Sequence, residues 1–363
     1  MLTSGLSNSI HELRRGANFW FHSEIRWKRD ASWGESVTVT TYRSTLARNR
    51  VNVDPDQFDT DDIAIPRQPS GPNRRGAGRS SRSHRGVAPE VTPVSERLIE
   101  VGRHHLRVRR SGAGPPLVLL NGMGMSSAAW LPLERHLGGF DRIRIGLPGA
   151  GGMLARQPLL TMRDFASLAG GLFDQLAIER ADVVGLSFGG MVAQQLAHDM
   201  PAQIRSLVLV STSCGQGGEP SNPASWWNAM LADDWLTPYA WSPSGLAHRW
   251  SQLMMREFGA GWATGPRLKG FLEQTVAAAP WSSVPWLPQL TQETLVIAGT
   301  ADALVPFTNA SILASRIPRA QTYTVYGGGH LCLLDRAAEV GPVIAAFLRS
   351  LELTAIDEAA QLG

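Results

Sequence analysis

From about Arg97 onward, short apolar runs rich in β-branched residues recur along this chain, and the stretches between them have the length and period of helices. The runs read LVLLNG (117–122), IRIGL (143–147), ADVVGLS (181–187), SLVLVS (206–211), TLVIAG (294–299) and TYTVYG (322–327). None alternates strictly between apolar and polar, as expected of strands buried on both faces. Between them lie the helical patterns FASLAGGLFDQL, MVAQQLAHDM, ASILASRI and VGPVIAAFLRSL. Strand and helix in alternation predict an α/β fold, a doubly wound and mostly parallel sheet. Just before the first run, RLIEV and HLRVRR flank Gly102-Arg103 and read as a β-hairpin.

The alternation breaks at 213–288, which is helical in pattern and holds eight of the chain's 12 tryptophans, Trp226 and Trp227 among them. An insertion between two core strands must leave the sheet and return, so it reads as a helical cap. Its tryptophans form either an apolar ceiling over a pocket or the cap's own core. The expected organisation is therefore a core of 96–212 and 289–352, a cap of 213–288, a C-terminal tail of 353–363 and an N-terminal extension of 1–95 with no assigned fold. Within the extension, residues 67–85 are mostly Pro, Gly, Ser and Arg, with no acid and almost nothing apolar. Such a segment buries too little to offset its ordering entropy and is expected to be a disordered linker.

The net charge of +3 is unevenly spread. Residues 1–95 carry 14 basic and 10 acidic side chains, a balance of +4, against 20 and 21, a balance of −1, in the remainder. The basic excess thus belongs to the extension, and no nucleic-acid partner is expected of the core. Two cysteines, Cys214 and Cys332, do not make a disulfide framework and read as small buried hydrophobes. No apolar stretch approaches the roughly 18 residues of a membrane span, and the N-terminus lacks the apolar core of a secretory signal. The expectation is a soluble, cytoplasmic protein. Its oligomeric state leaves no mark in the sequence.

Gly185-Leu186-Ser187-Phe188-Gly189 fits G-x-S-x-G between a strand and a helix. A sharp strand-to-helix turn lifts the serine hydroxyl clear, and side chains two positions either side would clash, hence the glycines. Ser187 is the expected nucleophile. A serine hydroxyl needs a base. His198 lies inside the following helix and His248 in the cap, whereas His330 follows a strand and three glycines and is the expected base. The acid that orients it should also leave a strand end between the two, and Asp302, after TLVIAG, does so; Asp233 and Asp234 fall in the cap. The developing oxyanion needs donors in place. These are expected from the Phe188 N–H at the helix start and the Met123 N–H in the glycine-rich loop Asn121-Gly122-Met123-Gly124. No cofactor is expected. His104-His105 has no third ligand, so no metal is expected either, and the glycines at 149–152 are followed by no phosphate-binding lysine.

These motifs carry a resemblance. NGMG (121–124), LPGAGG (147–152), GLSFGGMVAQQLAHDMP (185–201), the small residues after LVLVSTS, GTADALVP and GGGHLCLLDRA resemble the α/β-hydrolase superfamily from about 97 to 350. More narrowly, they resemble the intracellular polyhydroxyalkanoate depolymerase-like hydrolases of bacteria. Asn-Gly opens the oxyanion loop where many relatives have His-Gly. The resemblance implies Ser187, Asp302 and His330 as a triad, and a serine hydrolase cleaving small-molecule or polymeric esters of hydrophobic (hydroxy)acyl groups. An acyltransferase, a carbon–carbon-bond hydrolase and a haloperoxidase-like enzyme share that triad. A non-catalytic granule or ligand-binding protein is the alternative from another class.

Overall fold

The computed structural model describes residues 23–28, 36–41, 95–150, 159–221 and 265–362. The chain divides into two units, Met1–His84 and Arg85–Gly363. In the first, β1 (Ser23–Lys28) pairs antiparallel with β2 (Ser36–Thr41). The sequence reading assigned no fold here, yet SVTVTT is β-branched after its first residue, a composition suited to a strand. The expected linker at 67–85 lies outside the described residues.

The second unit is built on an eight-stranded sheet. It opens with the expected hairpin of β3 (Ser95–Val101) and β4 (His104–Ser111). Next come β5 (Pro116–Leu120), the single turn α1 (Leu131–Glu134), β6 (Asp141–Gly146) and α2 (Met162–Gln175). The central segment is β7 (Ala181–Leu186), α3 (Phe188–Asp199) and β8 (Ile204–Val210). After the insertion, which returns through α4 (Gly265–Ala278), the chain adds β9 (Glu293–Gly299), α5 (Thr308–Arg316) and β10 (Ala320–Val325). It closes with α6 (Cys332–Asp335) and α7 (Ala337–Leu362).

The strands lie in the order β10-β9-β8-β7-β5-β6-β4-β3. From β6 to β10 all pairings are parallel, and β4 and β3 complete the other edge antiparallel. Helices cover both faces. Phe165, Leu172, Val192 and Leu196 of α2 and α3 share one apolar cluster, and Val340, Ile344 and Leu348 of α7 share the other. Leu117, Val118, Leu119 and Leu120 of β5 are fully buried, which explains why that run never alternates. Burying each such leucine contributes about 1.5–3 kcal/mol. A reciprocal cap starts α2, the Thr161 hydroxyl accepting from the Asp164 N–H while the Asp164 carboxylate accepts from the Thr161 N–H at 2.7 Å.

This order determines where chemistry can happen. The chain leaves β5 for β6 on one side, then crosses to β7 on the other. The loops after β5 and β7 therefore diverge at the carboxyl ends of adjacent strands, the crevice where open α/β sheets bind ligands.

Two expectations change. The segment 353–363, read as a tail, continues α7 as far as Leu362. Its sequence, LTAIDEAAQLG, consists largely of good helix formers and has no glycine or proline before Gly363 to stop the helix. Two of the cap tryptophans are neither ceiling nor cap core. Trp281 is buried and donates its Nε1–H to Gln195 Oε1 of α3 at 2.8 Å, and the Trp286 ring lies 4.4 Å from that of His198. Together they pack the insertion's return against the elbow helix. Trp226 and Trp227 lie outside the described residues. Among the described residues no helix is long and apolar enough to cross a membrane.

Candidate active site

Ser187 caps α3 with φ +53° and ψ −116°, a strained backbone for a residue with a side chain. Neighbours over-determine it. The Ser187 N–H donates to Val210 O at 2.9 Å, and the Thr212 hydroxyl donates to Ser187 O at 2.7 Å. The flanking glycines are a steric requirement. A Cβ on Gly185 would stand 2.4 Å from Gly189 O, and one on Gly189 would stand 2.1 Å from Leu120 O. Both obstacles are backbone, so neither can swing away. Gly189→Ala is accordingly expected to destabilise the fold by about 1–3 kcal/mol or more. A drop in the chemical-denaturation midpoint would register it, and an unchanged midpoint would refute this account of the elbow.

His330 reaches the elbow from the loop between β10 and α6, with Nε2 3.0 Å from Ser187 Oγ. On its other side, Nδ1 lies 2.9 Å from Asp302 Oδ2 and 3.1 Å from Oδ1. Both side chains are almost wholly buried, while Ser187 is half-buried. Asp302 leaves β9, and its Oδ1 also accepts from the Leu304 N–H at 2.9 Å and the Val305 N–H at 2.8 Å. These two amides hold the carboxylate still and leave Oδ2 for the imidazole. The three residues, drawn from three loops at one edge of the sheet, thus form one continuous chain of hydrogen bonds. A carboxylate can only accept, so it favours the ring proton on Nδ1 and leaves Nε2 toward the serine hydroxyl.

Phe188 N–H opens α3, where the helix dipole favours negative charge. Met123 lies in the loop after β5, whose first residue, Asn121, has its carbonyl oxygen 2.6 Å from where a Cβ on Gly189 would stand. Neither the Phe188 nor the Met123 N–H donates to another described residue. Among the described residues, no group of three or more His, Cys, Asp or Glu is arranged to hold a metal ion. Cys332, two residues after His330, is fully buried and its thiol is pushed up to about 12 by burial. It is therefore a poor nucleophile at neutral pH.

Residues 117–342 match the α/β-hydrolase family, more than half of the chain. The chain belongs to the α/β-hydrolase family. The hydrolase is 30% identical over 266 residues to a poly(3-hydroxyalkanoate) depolymerase of Ectopseudomonas oleovorans, across 71% of this chain and 93% of that one. It is likewise 30% identical over 254 residues to a pimeloyl-[acyl-carrier protein] methyl ester esterase of Aromatoleum aromaticum, across 65% of this chain and 98% of that one. Among solved structures, a hydrolase from Pseudomonas aeruginosa PA01 superimposes with a TM-score of 0.59 at 25% identity, across 70% of this hydrolase and 98% of that one.

Some residues at the site were not singled out from sequence. The side chain of Asn121, noted only as the start of the glycine-rich loop, is a brace. Its Nδ2 donates to Met125 O at 3.2 Å, and its Oδ1 accepts from the Trp130 indole N–H. Thr212 is one of several small residues after β8 with no motif of its own. Gln274 belongs to no motif in the sequence. Its only signal is a polar residue among the buried positions of α4, Gly270, Phe271 and Ala277.

Proposed function

We propose that this hydrolase cleaves carboxylic esters of hydrophobic (hydroxy)acyl groups, polyhydroxyalkanoate chains or their oligomers among them, through an acyl-enzyme on Ser187. One observation carries the reading: the unbroken hydrogen-bond chain Ser187–His330–Asp302 beside two amides with no other described acceptor. The two relatives named for polyester and methyl-ester cleavage support the ester class.

In the proposed reaction Ser187 Oγ attacks the ester carbonyl as His330 Nε2 takes its proton. Asp302 stabilises the imidazolium, and the Phe188 and Met123 amides receive the oxyanion. Collapse breaks the carbon–oxygen bond, and His330 returns the proton to the leaving alkoxide. Water then enters, gives its proton to His330 and attacks the acyl-enzyme. The products are an alcohol and an acid, with Ser187 regenerated. The reaction needs no redox partner.

The test is a p-nitrophenyl ester series run beside a polyhydroxyalkanoate clearing assay. If the cap supplies an apolar ceiling, each added methylene contributes up to about 0.8 kcal/mol. Turnover should then rise by at most roughly fourfold per methylene, and fall once the pocket is full. Trp226→Ala and Trp227→Ala should flatten that rise while acetate-ester turnover stays within a few-fold. A wild-type profile that peaks at acetate, or cap variants with an unaltered profile, would remove the hydrophobic-acyl assignment.

A further inference from the structure

Gln274 is 1% exposed on α4, in the part of the insertion that returns to the core. Burying a primary amide is costly unless both ends are satisfied, and here both are. Oε1 accepts from the Gly124 N–H at 2.8 Å, and Nε2 donates to Pro148 O at 2.7 Å. Those partners lie 150 and 126 positions away in sequence. They belong to the loops after β5 and β6, the two strand ends that border the site. The donor and acceptor identities of the partners allow only one orientation of the amide.

The bond to Gly124 falls at a sensitive place. Gly122 to Met125 form a turn in which the Met125 N–H donates to Gly122 O at 3.1 Å, and its third residue, Gly124, has φ +69°. A positive φ there is the signature of a type II turn. The central peptide of such a turn can flip. Gln274 holds its N–H from outside, and Asn121 braces the loop from within. Two further contacts seat α4 against the same loops. The Thr275 hydroxyl lies 3.2 Å from Met123 Sδ, and a Cβ on Gly270 would stand 2.5 Å from Gly149 Cα.

We propose that Gln274 is a positioning residue for the oxyanion donor, holding the turn that carries the Met123 N–H and coupling it to the cap. This rests on the reading of Ser187 as the nucleophile. Gln274 touches no reacting atom. Its contribution is to keep a donor aligned with charge that develops only in the transition state.

The experiment compares wild type, Gln274→Met, Gln274→Glu and Ser187→Ala on one p-nitrophenyl ester, with a trifluoromethyl ketone of the same acyl length as a mimic of the oxyanion. Displacing a catalytic donor by about 1 Å costs on the order of 100-fold. Gln274→Met, similar in volume but unable to hold the turn, should lose about 10- to 100-fold in kcat. Its KM should stay within about twofold, because the donor acts in the transition state and not on bound substrate. Affinity for the ketone should weaken in parallel with kcat. Gln274→Glu keeps an acceptor for the Gly124 N–H and should fall between wild type and Gln274→Met. If Gln274→Met does not fold, the Glu variant decides by the same split of kcat from KM. Wild-type kcat in the folded variant, or a loss of kcat with ketone affinity unchanged, overturns the proposal. If Ser187→Ala abolishes turnover while the Gln274 variants are unimpaired, only the positioning role fails. If Ser187→Ala stays active, the nucleophile assignment fails and the positioning role falls with it.

Discussion

Ser187→Ala is expected to lower turnover by about 10⁴-fold or more and to abolish labelling by a fluorophosphonate probe. The size follows from how the three side chains act as one device. Without Oγ, the proton that His330 is placed to take is no longer there, and neither His330 nor Asp302 has anything left to act on. What survives is binding plus whatever the two amides offer to a water attacking directly. The fold should survive as well. The Ser187 side chain makes no cap bond to α3, and its backbone is held by Val210 and Thr212. A change in unfolding free energy within about 1 kcal/mol is expected, typical of a lost half-buried hydroxyl. Measuring turnover, labelling and unfolding on one preparation separates lost chemistry from lost structure. Retention of more than about a tenth of the activity would sink the mechanism, since a serine nucleophile has no substitute here.

Asp302→Asn is expected to cost about 10⁴-fold in kcat with the fold intact, comparable to the loss when a triad carboxylate becomes an amide. The local hydrogen bonds give the reason. The Leu304 and Val305 N–H groups need an oxygen, so the new amide must keep its carbonyl toward them. Its NH₂ then occupies the Oδ2 position facing His330 Nδ1. An NH₂ there requires Nδ1 to accept, which moves the ring proton to Nε2. The nitrogen 3.0 Å from Ser187 Oγ would then be a donor, unable to take the serine's proton. The loss should appear in kcat for every ester in a series, whatever its acyl length. A length-dependent loss, or one smaller than about tenfold, would mean that Asp302 merely shapes the loop.

The parts of the site legible in sequence are those dictated locally. Gly185 and Gly189 mark the elbow because steric exclusion by backbone atoms leaves no other residue type there. His330 and Asp302 could be chosen over His198, His248, Asp233 and Asp234 because a strand end was recognisable before each. The strands themselves were legible because burial on both faces removes polar residues from the run. Where expectation and structure part, longer-range packing decided. Trp281 and Trp286 sit in a segment that reads as cap, yet their partners Gln195 and His198 belong to the elbow helix. The last residues of α7 carry no motif or cap of their own, and only helix propensity summed across them marks the helix.

By itself, then, the sequence determined the layered α/β architecture, the elbow and the chain order of serine, acid and histidine. Each of these follows from backbone sterics or from a strand-to-loop transition written in adjacent residues. Only the tertiary structure decided how Asp302 is held, that Asn121 braces the loop after β5, and that Gln274 reaches that loop from the insertion. The physical reason is that a buried polar group must find its partner wherever the fold delivers one. Gln274 finds the Gly124 N–H from 150 residues away, and no local pattern records such a pairing.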